Sequence, residues 1–174
     1  MNVPILLLDA AWRVDRVITS DRAVELIAGG RVVAASEELA AVYHSPSTTI
    51  EVPSVIARLG GIVGPVRGLS CSHRRVRIRD QFECQFVIAG VPCRRRGDSV
   101  DHLQPRSLGG PSSWTNLVAA CTTCNGMKGD TPFATMSARH GWALRREPHV
   151  PSLASIILAS TRPQPGWEPY LRAA

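Results

Sequence analysis

The sequence has 174 residues, 44% of them hydrophobic, and 20 Lys+Arg against 14 Asp+Glu for a net charge of +6. That length suits one ordinary domain with extensions, and that apolar fraction excludes a disordered chain. No apolar run reaches the ~18 residues of a membrane helix, and residues 3–8 lack the basic lead of a signal peptide, so a cytoplasmic protein outside the membrane is expected.

Residues 3–8 read as a buried strand. Ser20 would cap a helix over 21–28, stopped by Gly29-Gly30. Residues 31–35 read as a strand, 37–43 suit a helix or a strand, and 48–52 form a β-branched strand. Pro53 would open a short helix through Leu59, followed by a Gly- and Pro-rich connection to Ser70. A short basic helix is expected over 73–79, a metal loop or hairpin over 84–96, and strands over 99–103 and 114–120 around a loop marked by Gly109-Gly110. A helix starts at Cys124 and breaks near Pro132, and another covers 136–142. Five prolines follow Arg145, so the tail reads as an irregular arm with 156–158 docked on the body. Trp114 and Trp142 read as core residues.

Lys128 is the sole lysine, and nine of the nineteen arginines lie between Arg67 and Arg106 against four acids. Arginine forks suit phosphate oxygens, and a clustered basic stretch suits a polyanion such as DNA. A solvated basic face is the competing account. The candidates for phosphate contact are Arg74, Arg75, Arg77, Arg79, Arg94, Arg95, Arg96 and Arg106. Lys128 suits a phosphate contact or a surface charge equally.

Five cysteines in a cytoplasmic chain argue against a disulfide framework. Cys121-Thr-Thr-Cys124 is a two-residue knuckle that can turn two thiolates toward one ion. Closing a tetrahedral zinc site needs a second pair, and Cys84 with Cys93 is the candidate, although that spacing is wider than usual. Cys71 is left over as a small buried hydrophobe, or as the substitute ligand if the 84–93 loop cannot fold back. A redox Cys-x-x-Cys is the rival reading of the knuckle; it normally sits in a βαβ unit, which this sequence does not suggest.

Asp101-His102, Asn116 and Asn125 complete the constellation. Hydrolysis of a phosphodiester needs a base for water and a divalent cation for the phosphate. Magnesium and manganese favour oxygen ligands, which Asp101 and Asn125 offer, leaving His102 to act as base.

The runs Val100-Asp101-His102-Leu103-Gln104-Pro105-Arg106-Ser107-Leu108-Gly109-Gly110 and Trp114-Thr115-Asn116-Leu117-Val118-Ala119-Ala120-Cys121-Thr122-Thr123-Cys124-Asn125-Gly126-Met127-Lys128-Gly129 resemble an HNH endonuclease with a zinc-supported ββα-metal core. Residues 3–79, with His44-Ser45-Pro46-Ser47 and Val52-Pro53-Ser54-Val55-Ile56, resemble the N-terminal part of one bacterial and phage subfamily. The resemblance implies an α+β fold and a metal-dependent nuclease acting on DNA. It implies His102 as general base oriented by Asn116, Asp101 and Asn125 on the catalytic Mg or Mn, and Cys84, Cys93, Cys121 and Cys124 on a structural zinc. One departure is that common members carry the second cysteine where Val87 stands. The expected organisation is a mixed region over 1–70, the nuclease core with its zinc over 71–145, and the Pro-rich arm over 146–174. The alternative function is a zinc-stabilised DNA-binding module without cleavage.

Overall fold

Ile5, Leu6, Leu7 and Leu8 are all buried, so neither side of this segment can face water. In a computed structural model, which describes residues 2–61 and 69–172, that segment is the inner strand β1 (Pro4–Leu8). Then come β2 (Val14–Thr19), α1 (Ser20–Ala28), β3 (Val32–Ala34), β4 (Leu39–His44), β5 (Thr49–Pro53) and β6 (Val55–Arg58). The sheet order is β2-β1-β6-β3, with β1 parallel to β6 and the other neighbours antiparallel; β4 and β5 pair as a separate hairpin. α1 buries Ala23 and Leu26 against Ile5, Leu7 and Ile56. Its cap is Thr19, whose hydroxyl accepts the Arg22 N–H, rather than Ser20, whose side chain is buried.

Two expectations are corrected here. The short helix opened by Pro53 is instead β6, because Val55, Ile56 and Ala57 are fully buried between β1 and β3 and three such residues serve a central strand. The ambiguous 37–43 segment is a strand. β2 has no counterpart in the expected elements. Most of the expected Gly- and Pro-rich connection, residues 62–68, lies outside the described residues.

The chain divides into two compact units, Met1–Gly68 with Ser152–Ala174 and Leu69–Pro151. In the second unit the order is α2 (His73–Arg79), β7 (Phe86–Ile88), β8 (Val91–Pro92), β9 (Ser99–His102), a 3-10 turn (Arg106–Leu108), β10 (Leu117–Ala120), α3 (Thr122–Lys128), α4 (Phe133–His140) and β11 (Ala143–Leu144). Ser72 caps α2, accepting the Arg75 N–H, and α2 buries Val76 against Trp114 and Leu117. β9 and β10 pair antiparallel and α3 follows at once, giving a ββα unit. Phe86, Trp142 and Met136 pack around the cysteines, with the Phe86 and Trp142 rings 5.1 Å apart.

The tail is the other correction. Rather than an irregular arm, it forms α5 (Leu153–Ser160) and α6 (Glu168–Leu171). Ala154, Ile157, Trp167 and Leu171 pack on Leu6, Leu8, Val55 and Ala57. The prolines lie outside α5, and Pro169 sits in the first turn of α6, where a missing N–H costs nothing. Trp167 is fully buried and its Nε1–H donates to the Ser54 carbonyl at 2.8 Å. Among the described residues, no helix is long and apolar enough to cross a membrane.

Candidate active site and metal centre

The wide spacing of Cys84 and Cys93 is closed by a tight hairpin. Ala89 and Gly90 both have positive φ, 49° and 77°, the two-residue turn whose twist matches paired strands. Val87 then faces Pro92, and the Cys93 N–H donates to the Phe86 carbonyl at 2.9 Å. On the other side Cys121 caps α3, its Sγ accepting the Cys124 N–H at 3.3 Å. The four sulphurs of Cys84, Cys93, Cys121 and Cys124 all lie within 4.8 Å of one another, and Cys93 and Cys121 are 3.9 Å apart.

Zinc–sulphur bonds of about 2.3 Å in a tetrahedron set sulphurs roughly 3.8 Å apart, so these four residues fit a zinc. Burial pushes the Cys84 and Cys124 thiols up. At Cys121 burial is outweighed by hydrogen bonds from Cys124 and the neighbouring thiols, which pull it down to about 7. Cys71 packs instead with Val76, Trp114 and Leu117.

β9, the loop after it and α3 together wall a cavity of about 470 Å³ lined by Asp101, His102, Arg106, Asn125, Lys128 and Asp130, among others. Asp101 is paired with Val118 across the hairpin and is buried. Burial raises its carboxyl, against the opposing pull of Lys128. Lys128 Nζ forms an ion pair with Asp101 Oδ2 at 3.2 Å, and that buried oxygen takes no other partner. Asn125 donates from Nδ2 to Ser99 Oγ at 3.1 Å, which turns its amide oxygen to the other side. A buried carboxylate oxygen held only by an ion pair, with an amide side chain in the same cavity, fits a hard divalent cation.

His102 Nε2 lies 3.0 Å from Ser112 Oγ. Partial burial lowers its pKa, and the positive charges of Arg106, His73 and Lys128 lower it further. The ring is therefore neutral near pH 7 and able to accept a proton. Asn116 Oδ1 accepts the Gln104 N–H at 2.8 Å, and its Nδ2 donates to the carbonyls of Gln104 and Pro111 at 3.1 and 2.9 Å. The loop closes tightly enough that a Cβ on Gly110 would stand 1.7 Å from the Gln104 oxygen.

The basic residues divide. Arg74, Arg94, Arg95, Arg96 and Arg106 are exposed. Arg75 and Arg77 are half-buried and bond the Ser70 and Asp98 carbonyls. Arg79, expected to contact phosphate, is buried: it forks onto both oxygens of Asp80 and donates to the Trp114, Leu117 and His149 carbonyls. Lys128, expected to contact phosphate or to be a surface charge, is 1% exposed because its chain runs inward to Asp101. Asp80 also accepts the Ala119 N–H at 2.7 Å and so ties α2 to β10. Sequence reasoning missed Asp80, Ser112 and Gln104; adjacent opposite charges at 79–80 are their only sequence signal, and it does not reveal burial.

The path of the chain is that of a ββα core, and sequence comparison agrees. Residues 82–131 match the family described as HNH endonuclease, and residues 5–59 match the HNH endonuclease-associated N-terminal domain. The chain thus carries an HNH endonuclease domain following an HNH-associated N-terminal domain, as the two resemblances imply. It is 42% identical over 52 residues to the CRISPR-associated endonuclease Cas9 of Corynebacterium diphtheriae, a stretch of 29% of this chain and 5% of that protein. No solved structure matches the chain.

Proposed function

We propose that the protein is a metal-dependent endonuclease that hydrolyses phosphodiester bonds in DNA. The observation that carries this reading is the single cavity shared by Asp101, His102 and Asn125 at the ββα core. His102, neutral near pH 7, takes a proton from the attacking water. Asn116 acts through the loop backbone, holding the segment that leaves His102. Asp101 and Asn125 hold one magnesium or manganese ion, which would neutralise charge developing on the phosphate and the leaving oxygen. The four cysteines hold a structural zinc; four thiolates leave no open position for substrate. Exposed arginines, Arg74, Arg94, Arg95, Arg96 and Arg106, meet the DNA backbone. A reducing cytoplasm, which keeps such thiols available for metal, is the proposed compartment.

The test is conversion of supercoiled plasmid with magnesium or manganese, with and without chelator. Metal-dependent nicking is expected. DNA binding without nicking at any metal concentration overturns the nuclease in favour of a zinc-stabilised binding module.

A further inference from the structure

Lys128 is the only lysine of the chain, against nineteen arginines, and it is among its most deeply buried residues. Its side chain is 0% exposed, and Nζ is held between Asp101 Oδ2 at 3.2 Å and the Gly129 carbonyl at 3.1 Å. A buried ammonium is costly unless it neutralises a buried anion. The anion is Asp101, whose Oδ2 no solvent reaches. The same oxygen is the one through which, on the reading above, a divalent cation would be bound. An ammonium seated there competes with the cation for that oxygen and repels it.

We propose that Lys128 is a tethered counter-ion that occupies the cation position of the free protein and is exchanged for the divalent ion when that ion binds. The inference rests on the proposed cation site. Lysine suits this exchange better than arginine. Its point charge sits on a four-carbon stem and leaves by rotation, whereas a guanidinium fork would hold both carboxylate oxygens, as Arg79 does on Asp80. Once released, the ammonium stays on the wall of the cavity, where it meets a phosphate oxygen. The positive charge needed at the substrate thus becomes available only after the metal has arrived. A site competent only in its lysine-out form binds metal more weakly by the fraction of time the lysine is out.

Because no other lysine exists, amine acetylation mapped by mass spectrometry reads Lys128 directly in the intact wild-type protein. Manganese binding is followed in parallel by calorimetry. With a lysine-out fraction near a tenth, saturating manganese raises Lys128 acetylation about tenfold. In Asp101→Asn, Lys128 acetylates rapidly with or without manganese. Lys128→Met binds manganese about tenfold more tightly than wild type. Manganese binding with unchanged Lys128 acetylation overturns the exchange and leaves the cation site standing. Slow acetylation in a folded Asp101→Asn also overturns it, since packing alone would then bury the lysine. No manganese binding to wild type overturns the cation site itself, and the exchange with it.

Discussion

Asn116 grips Gln104 by both sides of its backbone, accepting its N–H at 2.8 Å and donating to its carbonyl at 3.1 Å. Asn116 sits just before β10 and Gln104 two residues beyond His102, so the amide closes the mouth of the hairpin. Asn116→Ala leaves those partly buried groups unpaired and is expected to destabilise by about 1 kcal/mol. Nicking should fall to a level between wild type and His102→Ala, with chemical denaturation measured alongside.

Replacing His102 by Ala removes the proposed proton acceptor and should lower turnover about 10²–10⁴-fold while folding and zinc content persist. Asp101→Ala and Asn125→Ala should lose activity through weaker cation binding, so raised manganese recovers part of their rate and none of the His102→Ala rate. A manganese titration of nicking by all three variants is the measurement.

The pH profile follows from the lowered pKa of His102. With neutral imidazole as the proposed active form, the rate should rise with pH and level off above a midpoint that lies below the ordinary histidine value of about 6.5. Arg106 is one of the charges that lower it. Arg106→Gln should therefore move the midpoint upward, read as log rate against pH at constant ionic strength. An unmoved midpoint would separate Arg106 from the base.

Purified protein should hold one zinc per chain by metal analysis. In small zinc domains the binding free energy, about 10 kcal/mol or more, is also folding free energy. Cys93→Ser and Cys121→Ser should therefore lose both zinc and the fold of residues 69–151. Cys71→Ser should keep zinc, since Cys71 belongs to another cluster.

Exposed and buried arginines should behave oppositely. Changing Arg94, Arg95 and Arg96 together to Gln should flatten the salt dependence of DNA binding by up to about one unit of slope per lost phosphate contact. Arg79→Ala should instead destabilise by about 3–5 kcal/mol, because it strands the buried carboxylate of Asp80.

What the sequence determined by itself is what short-range chemistry determines. The Cys121–Cys124 knuckle, the basic helix over 73–79 and the buried run of β1 depend on neighbours within a few residues, so their spacing is enough to read them. The pairing of Asp101-His102 with Asn116 and Asn125 was legible because a hairpin and one helical turn bring them together. Only tertiary structure decided the rest. Residues 55–58 became a strand because β1 and β3 flank them; nothing local distinguishes them from a helix. The tail became helical because Trp167 and Leu171 had an apolar face on Leu6 and Leu8 to cover. Lys128 and Arg79, which share the formal charge of surface residues, were turned inward by carboxylates at Asp101 and Asp80. Burial reflects everything that packs around a residue, so charge and spacing in the sequence cannot specify it.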